Sequence, residues 1–264
     1  MQKIRKLPIG IQSFEKLREG DYIYIDKTEF IYSLVHTGQI YFLSRPRRFG
    51  KSLFLSTLKA YFEGKKELFA GLRIEQLEKD NPDAWKPYPV IHLNFAQNSF
   101  SKESSLEKTI NLQLEEYEKK YEIQSDYKDS LDPTNFAGRF INIVQTARKK
   151  TGLPAAVLID EYDKPLLDAQ SNEELVDENR ETLRGLYVTL KALDEDLKFV
   201  FLTGVTKFSK VSIFSDLNQL NDISITSRYA TVCGITEKEM LENLGPEIDA
   251  FAENNGLSKE ECVN

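Results

Sequence analysis

Cysteine and histidine are scarce in this sequence, two of each: Cys233, Cys262, His36 and His92. No histidine stands at metal-ligand spacing from a cysteine. That speaks against a structural zinc site and a disulfide framework, and makes a reducing cytosol the expected compartment. Long apolar runs are missing too. The amino terminus carries Lys3, Arg5 and Lys6 but no apolar h-region. No later stretch approaches the ~20 residues of a membrane span, so no membrane partner is expected. Positive charge is not in excess: the net charge of -7 argues against a uniformly basic nucleic-acid footprint and leaves only a local patch for such a partner. There is no Asn-Lys-x-Asp guanine signature, no internal repeat and no low-complexity tract.

What is present is the composition of a folded protein, 41% hydrophobic with 16 Phe and 12 Tyr. The 264 residues suffice for one sizeable α/β domain plus a smaller appendage. After an amino-terminal preface, Asp26 or Thr28 is placed to cap a helix over Phe30 to Val35. Gln39 to Ser44 reads as a buried strand, and the helical spacing of Leu53, Phe54, Leu58, Tyr61 and Phe62 predicts a helix up to Gly64. Further strands are expected at Pro89 to Phe95, Ala155 to Ile159, Lys198 to Leu202 and Tyr229 to Cys233. Helices are expected over 102–121, with mixed charges forming a solvated face, over 135–150, and over 173–193. Apolar strands alternating with long helices predict an α/β fold, a mostly parallel sheet covered on both faces. Thr236-Glu237-Lys238-Glu239 has capping-box spacing, so a new helix starts there. The expected division is a nucleotide-binding domain over 1–235 and, over 236–264, the start of a helical lid or linker that is cut short.

Between the first strand and its helix lies Arg45-Pro46-Arg47-Arg48-Phe49-Gly50-Lys51-Ser52. Its end matches the phosphate-loop pattern Gly-x-x-x-x-Gly-Lys-Ser/Thr, with Arg45 where the first glycine would stand. In that context Lys51 reaches the β- and γ-phosphates and Ser52 ligates magnesium. The amides of Arg48 to Ser52 face phosphate at a helix amino terminus, and Gly50 permits close backbone approach. Gly-Lys-Ser alone recurs by chance, so a plain helix start is the competing reading. Arg45, Arg47 and Arg48 add phosphate charge, reach a neighbouring subunit's nucleotide, or pair with surface acids.

Downstream, Val157-Leu158-Ile159-Asp160-Glu161 ends an apolar strand in two acids. Open α/β sheets bind ligands at such carboxyl ends. Asp160 is the candidate magnesium residue and Glu161 the residue that orients or deprotonates the attacking water; the alternative is a strand that merely ends in solvated acids. Asp163 is a third acid or a helix cap. Thr203 and Thr206 follow the next strand and are placed to sense the γ-phosphate, or else to satisfy their own turn. Lys207 and Lys210 lie nearby, and Arg228, Arg47 or Arg48 is the candidate for an arginine acting on the transferring phosphoryl group.

These segments, with Tyr24-Ile25-Asp26-Lys27-Thr28, Leu158 to Pro165, Phe201 to Ser209 and Tyr229 to Thr236, resemble the predicted AAA-ATPase-like family across roughly residues 5 to 245. The resemblance implies a P-loop NTPase of bacterial type, with ATP and Mg2+ as ligands. The loop roles fall to Arg45, Arg47, Arg48, Phe49, Gly50, Lys51, Ser52 and Leu53, and the acidic roles to Asp160 and Glu161, with a sensor near Thr203. It also implies that arginine at the first loop position is the family's habit. Members commonly continue into a restriction-type nuclease domain, which is not expected within this chain. The leading expectation is a magnesium-dependent ATPase whose cycle moves a carboxy-terminal effector or a partner. The alternatives are a nucleotide switch with little hydrolysis, a sugar or nucleotide kinase, and a module that binds nucleic-acid phosphates. Assembly into a homo-oligomer is expected if an arginine must act in trans.

Overall fold

The structure, a computed structural model, describes residues 5–123, 134–206, 220–258 and 261–262. The apolar runs become β1 (Ile40–Ser44), β2 (Val90–Asn94), β3 (Ala155–Asp160) and β4 (Leu197–Gly204), paired in parallel. A two-residue strand, β5 (Asn221–Asp222), pairs with the other side of β1, giving the order β2-β3-β4-β1-β5. β4 thus lies between β1 and β3, which brings their carboxyl ends together.

Helices α1 (Phe14–Glu19) and α2 (Thr28–Thr37) precede β1, and α3 (Lys51–Phe62) and α4 (Arg73–Leu77) follow it. Asp26 starts α2, its Oδ1 accepting from the Thr28 amide and hydroxyl. Between β2 and β3 run α5 (Ser105–Lys120) and α6 (Phe136–Thr151), and between β3 and β4 run α7 (Lys164–Asp168) and α8 (Glu173–Ala192). The chain then forms α9 (Glu237–Asn243) and α10 (Gly245–Asn255). The capping box at the start of α9 is complete: Thr236 Oγ1 accepts from the Glu239 amide while the Glu239 carboxylate accepts from the Thr236 amide.

Alternation along the strands divides the core in two. Phe42, Val157, Ile159, Val200 and Leu202 face α5, α6 and α8. Tyr41, Leu43, Leu158, Phe199 and Phe201 face α1 to α4. Burial on both sides is why these strands read as continuous apolar runs. By the same alternation His92, Asn94, Asp160 and Thr203 fall on the face of α3.

Two expectations require correction. Tyr229 to Cys233 is not a strand: residues 227–229 form a 3-10 turn, and burial falls on Tyr229, Val232 and Cys233 rather than alternating. The fifth strand of the sheet is instead β5, paired with β1. The charge of α5 is not wholly a solvated face either. Glu118 continues the Ile110–Leu114 stripe inward, where Arg139 of α6 donates to both its oxygens at 2.8 and 3.1 Å. Lys207 and Lys210 lie outside the described residues.

Candidate functional site

The loop between β1 and α3 turns through two left-handed residues, Arg48 (φ 66°) and Gly50 (φ 91°). A Cβ on Gly50 would meet no protein atom within 4 Å, so the backbone angle, rather than crowding by the protein, calls for glycine. Lys51 opens α3 yet is only 3% exposed. Its ammonium folds back over the loop and donates to the carbonyls of Arg45 (3.0 Å) and Pro46 (3.2 Å), with Glu161 Oε1 at 4.0 Å. Arg47, Arg48 and Phe49 are exposed at the loop's tip, while Ser52 and Leu53 are half-buried in the first turn of α3.

Arg45 points elsewhere. Its guanidinium donates to the carbonyls of Ser44, Ser224, Tyr229 and Ala230. The Arg228 guanidinium lies over the Tyr229 ring, 5.7 Å from its centroid.

On β3, Asp160 is 2% exposed and its Oδ1 accepts from Thr203 Oγ1 at 2.6 Å. Glu161 follows with φ 55°, a conformation that is costly for a residue with a side chain and that aims its carboxylate back toward Lys51. Tyr162 donates its amide to the Thr203 carbonyl and its hydroxyl to the Thr206 carbonyl. Asp163, fully buried, accepts from the amides of Val205 and Thr206 and from the Thr206 hydroxyl. Asp163 therefore organises the turn after β4, and its side chain caps no helix. The Thr206 hydroxyl is engaged in that turn, whereas the Thr203 hydroxyl is directed at Asp160.

Burial raises the pKa of Glu161. Lys51 opposes the shift, Asp160 and Asp163 reinforce it, and Arg47 opposes it weakly. Burial and the two neighbouring acids thus favour the protonated form of Glu161, and the lysine favours the charged one.

Two cavities meet this assembly. The polar one, about 280 Å³, runs along α3 from Ser52 and Asp160 past His92 and Asn94 to Glu63. Magnesium is commonly held by one or two protein oxygens together with substrate phosphates, and a hydroxyl and a carboxylate sharing one cavity fit that pattern. No cluster of three or more His, Cys, Asp or Glu side chains suited to a metal occurs among the described residues. His92 Nε2 is buried without a hydrogen-bond partner, and burial lowers its pKa although Asp160 pulls it up. Sequence reasoning passed over His92 and Asn94 as site-lining groups. The signal was their parity on β2, since Asn94 pairs in register with Asp160.

The second cavity, about 570 Å³, is mostly apolar and shares Arg48, Phe49 and Gly50 with the loop. Ile25 and Lys27 of the preface and Ile235 and Leu244 of the carboxy-terminal segment also line it. The Cys233 thiol in its wall is pushed up to about 11 by burial and stays protonated.

The sequence model of a family described as Predicted AAA-ATPase matches residues 8–214 of this chain. Among curated proteins, an "Uncharacterized protein in vnfD 5'region" from Azotobacter chroococcum mcd 1 is 43% identical over 245 residues. The match takes in 92% of this chain and 46% of the relative, so the chain spans about half the length of the protein it resembles. No solved structure matches.

Proposed function

The chain belongs to the predicted AAA-ATPase family, and on that premise we propose that it is a magnesium-dependent ATPase using Lys51, Ser52, Asp160, Glu161 and Thr203. Membership carries nucleotide-binding, NTPase-type activity in general, and the sheet with helices on both faces is that of a P-loop NTPase. The observation that carries the finer reading is the convergence at the carboxyl ends of β1, β3 and β4. A buried lysine stands 4.0 Å from a carboxylate of raised pKa. Beside that carboxylate, Asp160 is fixed by the Thr203 hydroxyl.

In this reading Lys51 leaves the carbonyls of Arg45 and Pro46 to take the β- and γ-phosphates, which frees Glu161 for the attacking water. Glu161 accepts the water's proton, the water's oxygen bonds the γ-phosphorus, and the bond to the bridging oxygen breaks, giving phosphate and ADP. Ser52 and Asp160 would hold a magnesium ion, whose chemistry here is neutralisation of charge on the phosphate oxygens. Arg47 and Arg48 add positive charge at the loop's open side. The nucleoside enters the apolar cavity, where Phe49, Ile25 and Leu53 offer surface for a purine. The α9–α10 pair acts as a short lid over that cavity. Coupling to an effector domain, nuclease-like or otherwise, belongs to the same proposal.

Equilibrium titration with a fluorescent ATP analogue, with and without magnesium, tests the binding half. Wild type is expected to bind in magnesium, and Lys51→Ala to lose at least about tenfold in affinity, the equivalent of one charge-assisted contact. Equal binding by the two proteins would remove Lys51 from the site and defeat the reading.

A further inference from the structure

Arg45 stands where the general phosphate-loop pattern has glycine, yet its backbone is not among the left-handed residues of this loop. Glycine's conformational freedom is therefore not required there. What the side chain supplies is a fork of donors: one end of the guanidinium reaches the carbonyls of Ser44 and Ser224, the other those of Tyr229 and Ala230. The same segment holds the loop at two more points. Ser224 Oγ accepts from the Ser44 amide at 2.9 Å, and the Gly234 amide donates to the Phe49 carbonyl at 2.8 Å. A Cβ on Gly234 would press the Phe49 ring at 3.3 Å, so that side chain also lies against the 234 backbone.

We propose that Arg45 is a positioning residue that fixes the shape of the phosphate loop by clamping its first residue to the 224–230 segment, and that it does not bind phosphate itself. The Gly234–Phe49 bond closes the far end of the brace. A loop held at both ends before the ligand arrives loses less conformational entropy on binding, and that saving appears as affinity. The general pattern's glycine, placed at position 45, should therefore weaken this site rather than improve it. Lysine should not substitute, because it keeps the charge but cannot reach carbonyls on both sides at once.

The inference rests on the nucleotide-site reading for its effect on affinity, but the brace itself is testable without nucleotide. Amide hydrogen exchange over 45–50 and 224–234 would be compared for wild type, Arg45→Gly and Arg45→Lys, alongside MgATP titration of the same proteins. Both variants are expected to exchange faster in both segments while exchange in β3 is unchanged. Each is expected to bind MgATP at least about tenfold more weakly, from the loss of more than one carbonyl hydrogen bond. Wild-type affinity in Arg45→Lys with lost affinity in Arg45→Gly would assign Arg45 a charge role on phosphate and overturn the proposal. Unchanged exchange in either segment would overturn it as well. If wild type itself binds no MgATP, the functional reading fails while the exchange comparison still decides whether the brace exists.

Discussion

Glu161 holds a left-handed backbone, a half-buried side chain and a carboxylate whose ionisation burial opposes. Such a residue costs the fold something. Its raised pKa sets a sign. A group with a raised folded pKa favours the fold when protonated. Its contribution is complete below the unfolded value of about 4.3 and is lost as pH rises through the folded value. Glu161→Gln, which imitates the protonated form, should gain stability over wild type between pH 4 and pH 8. Urea midpoints at the two pH values measure this, and a difference that does not grow with pH would refute it. Activity should move the other way, falling toward acid as the base is protonated. At this scale the sequence was legible for position, with Lys51 at the start of α3 and Asp160 at the end of β3, while their roles belong to the proposal. It was not legible for Asp163 or Arg45, whose partners are backbone groups some 40 and 180 residues away. Nothing local in a sequence marks such a partner.

Among the elements, the β3–β4 junction fixes the geometry most tightly. Gly204 ends β4, and a Cβ there would sit 2.4 Å from the Tyr162 ring and 2.7 Å from Asp163. Gly204→Ala should cost about 1–3 kcal/mol or more by overpacking, seen in chemical denaturation. It should also shift Thr203 off Asp160. A neutral substitution would mean that the turn is softer than its hydrogen bonds imply. The buried Glu118–Arg139 pair joining α5 to α6 gives a second expectation. Arg139→Met should destabilise by about 3–5 kcal/mol because it takes the guanidinium from a buried carboxylate, while Glu118→Leu added to it should recover much of the loss. If the double variant is no better than the single one, the cost does not come from the broken ion pair. The four long strands were readable from apolar runs between breakers, since burial on both faces leaves little else in the pattern. β5 was not, because two residues of Asn and Asp carry no strand signal, and the more strand-like Tyr229 to Cys233 became a turn that Arg45 grips.

For the whole molecule, the preface and the carboxy-terminal helices lie on either side of the apolar cavity. α9 buries no residue and α10 buries Ala252. Their ties to the preface include two ion pairs, Lys27–Glu239 and Arg5–Glu247, the latter holding the Glu247 carboxyl down to about 2. A depressed carboxylate contributes stability above its unfolded pKa and loses it as pH falls toward the folded value, so this tie should fail between about pH 4.5 and 2. Partly exposed pairs are worth at most about 1 kcal/mol and are screened by salt. Amide exchange over 237–255 should therefore speed up in about 1 M salt relative to the central strands, and insensitivity to salt would show that apolar contacts hold these helices instead.

Phosphate release from saturating MgATP by wild type and by Glu161→Gln is the most direct test of the claim that these groups form one hydrolytic site. Wild type is expected to turn over, with a loss of about 10²- to 10⁴-fold in the variant while nucleotide stays bound. Equal rates in the two proteins, or bound nucleotide that wild type never hydrolyses, would contradict it.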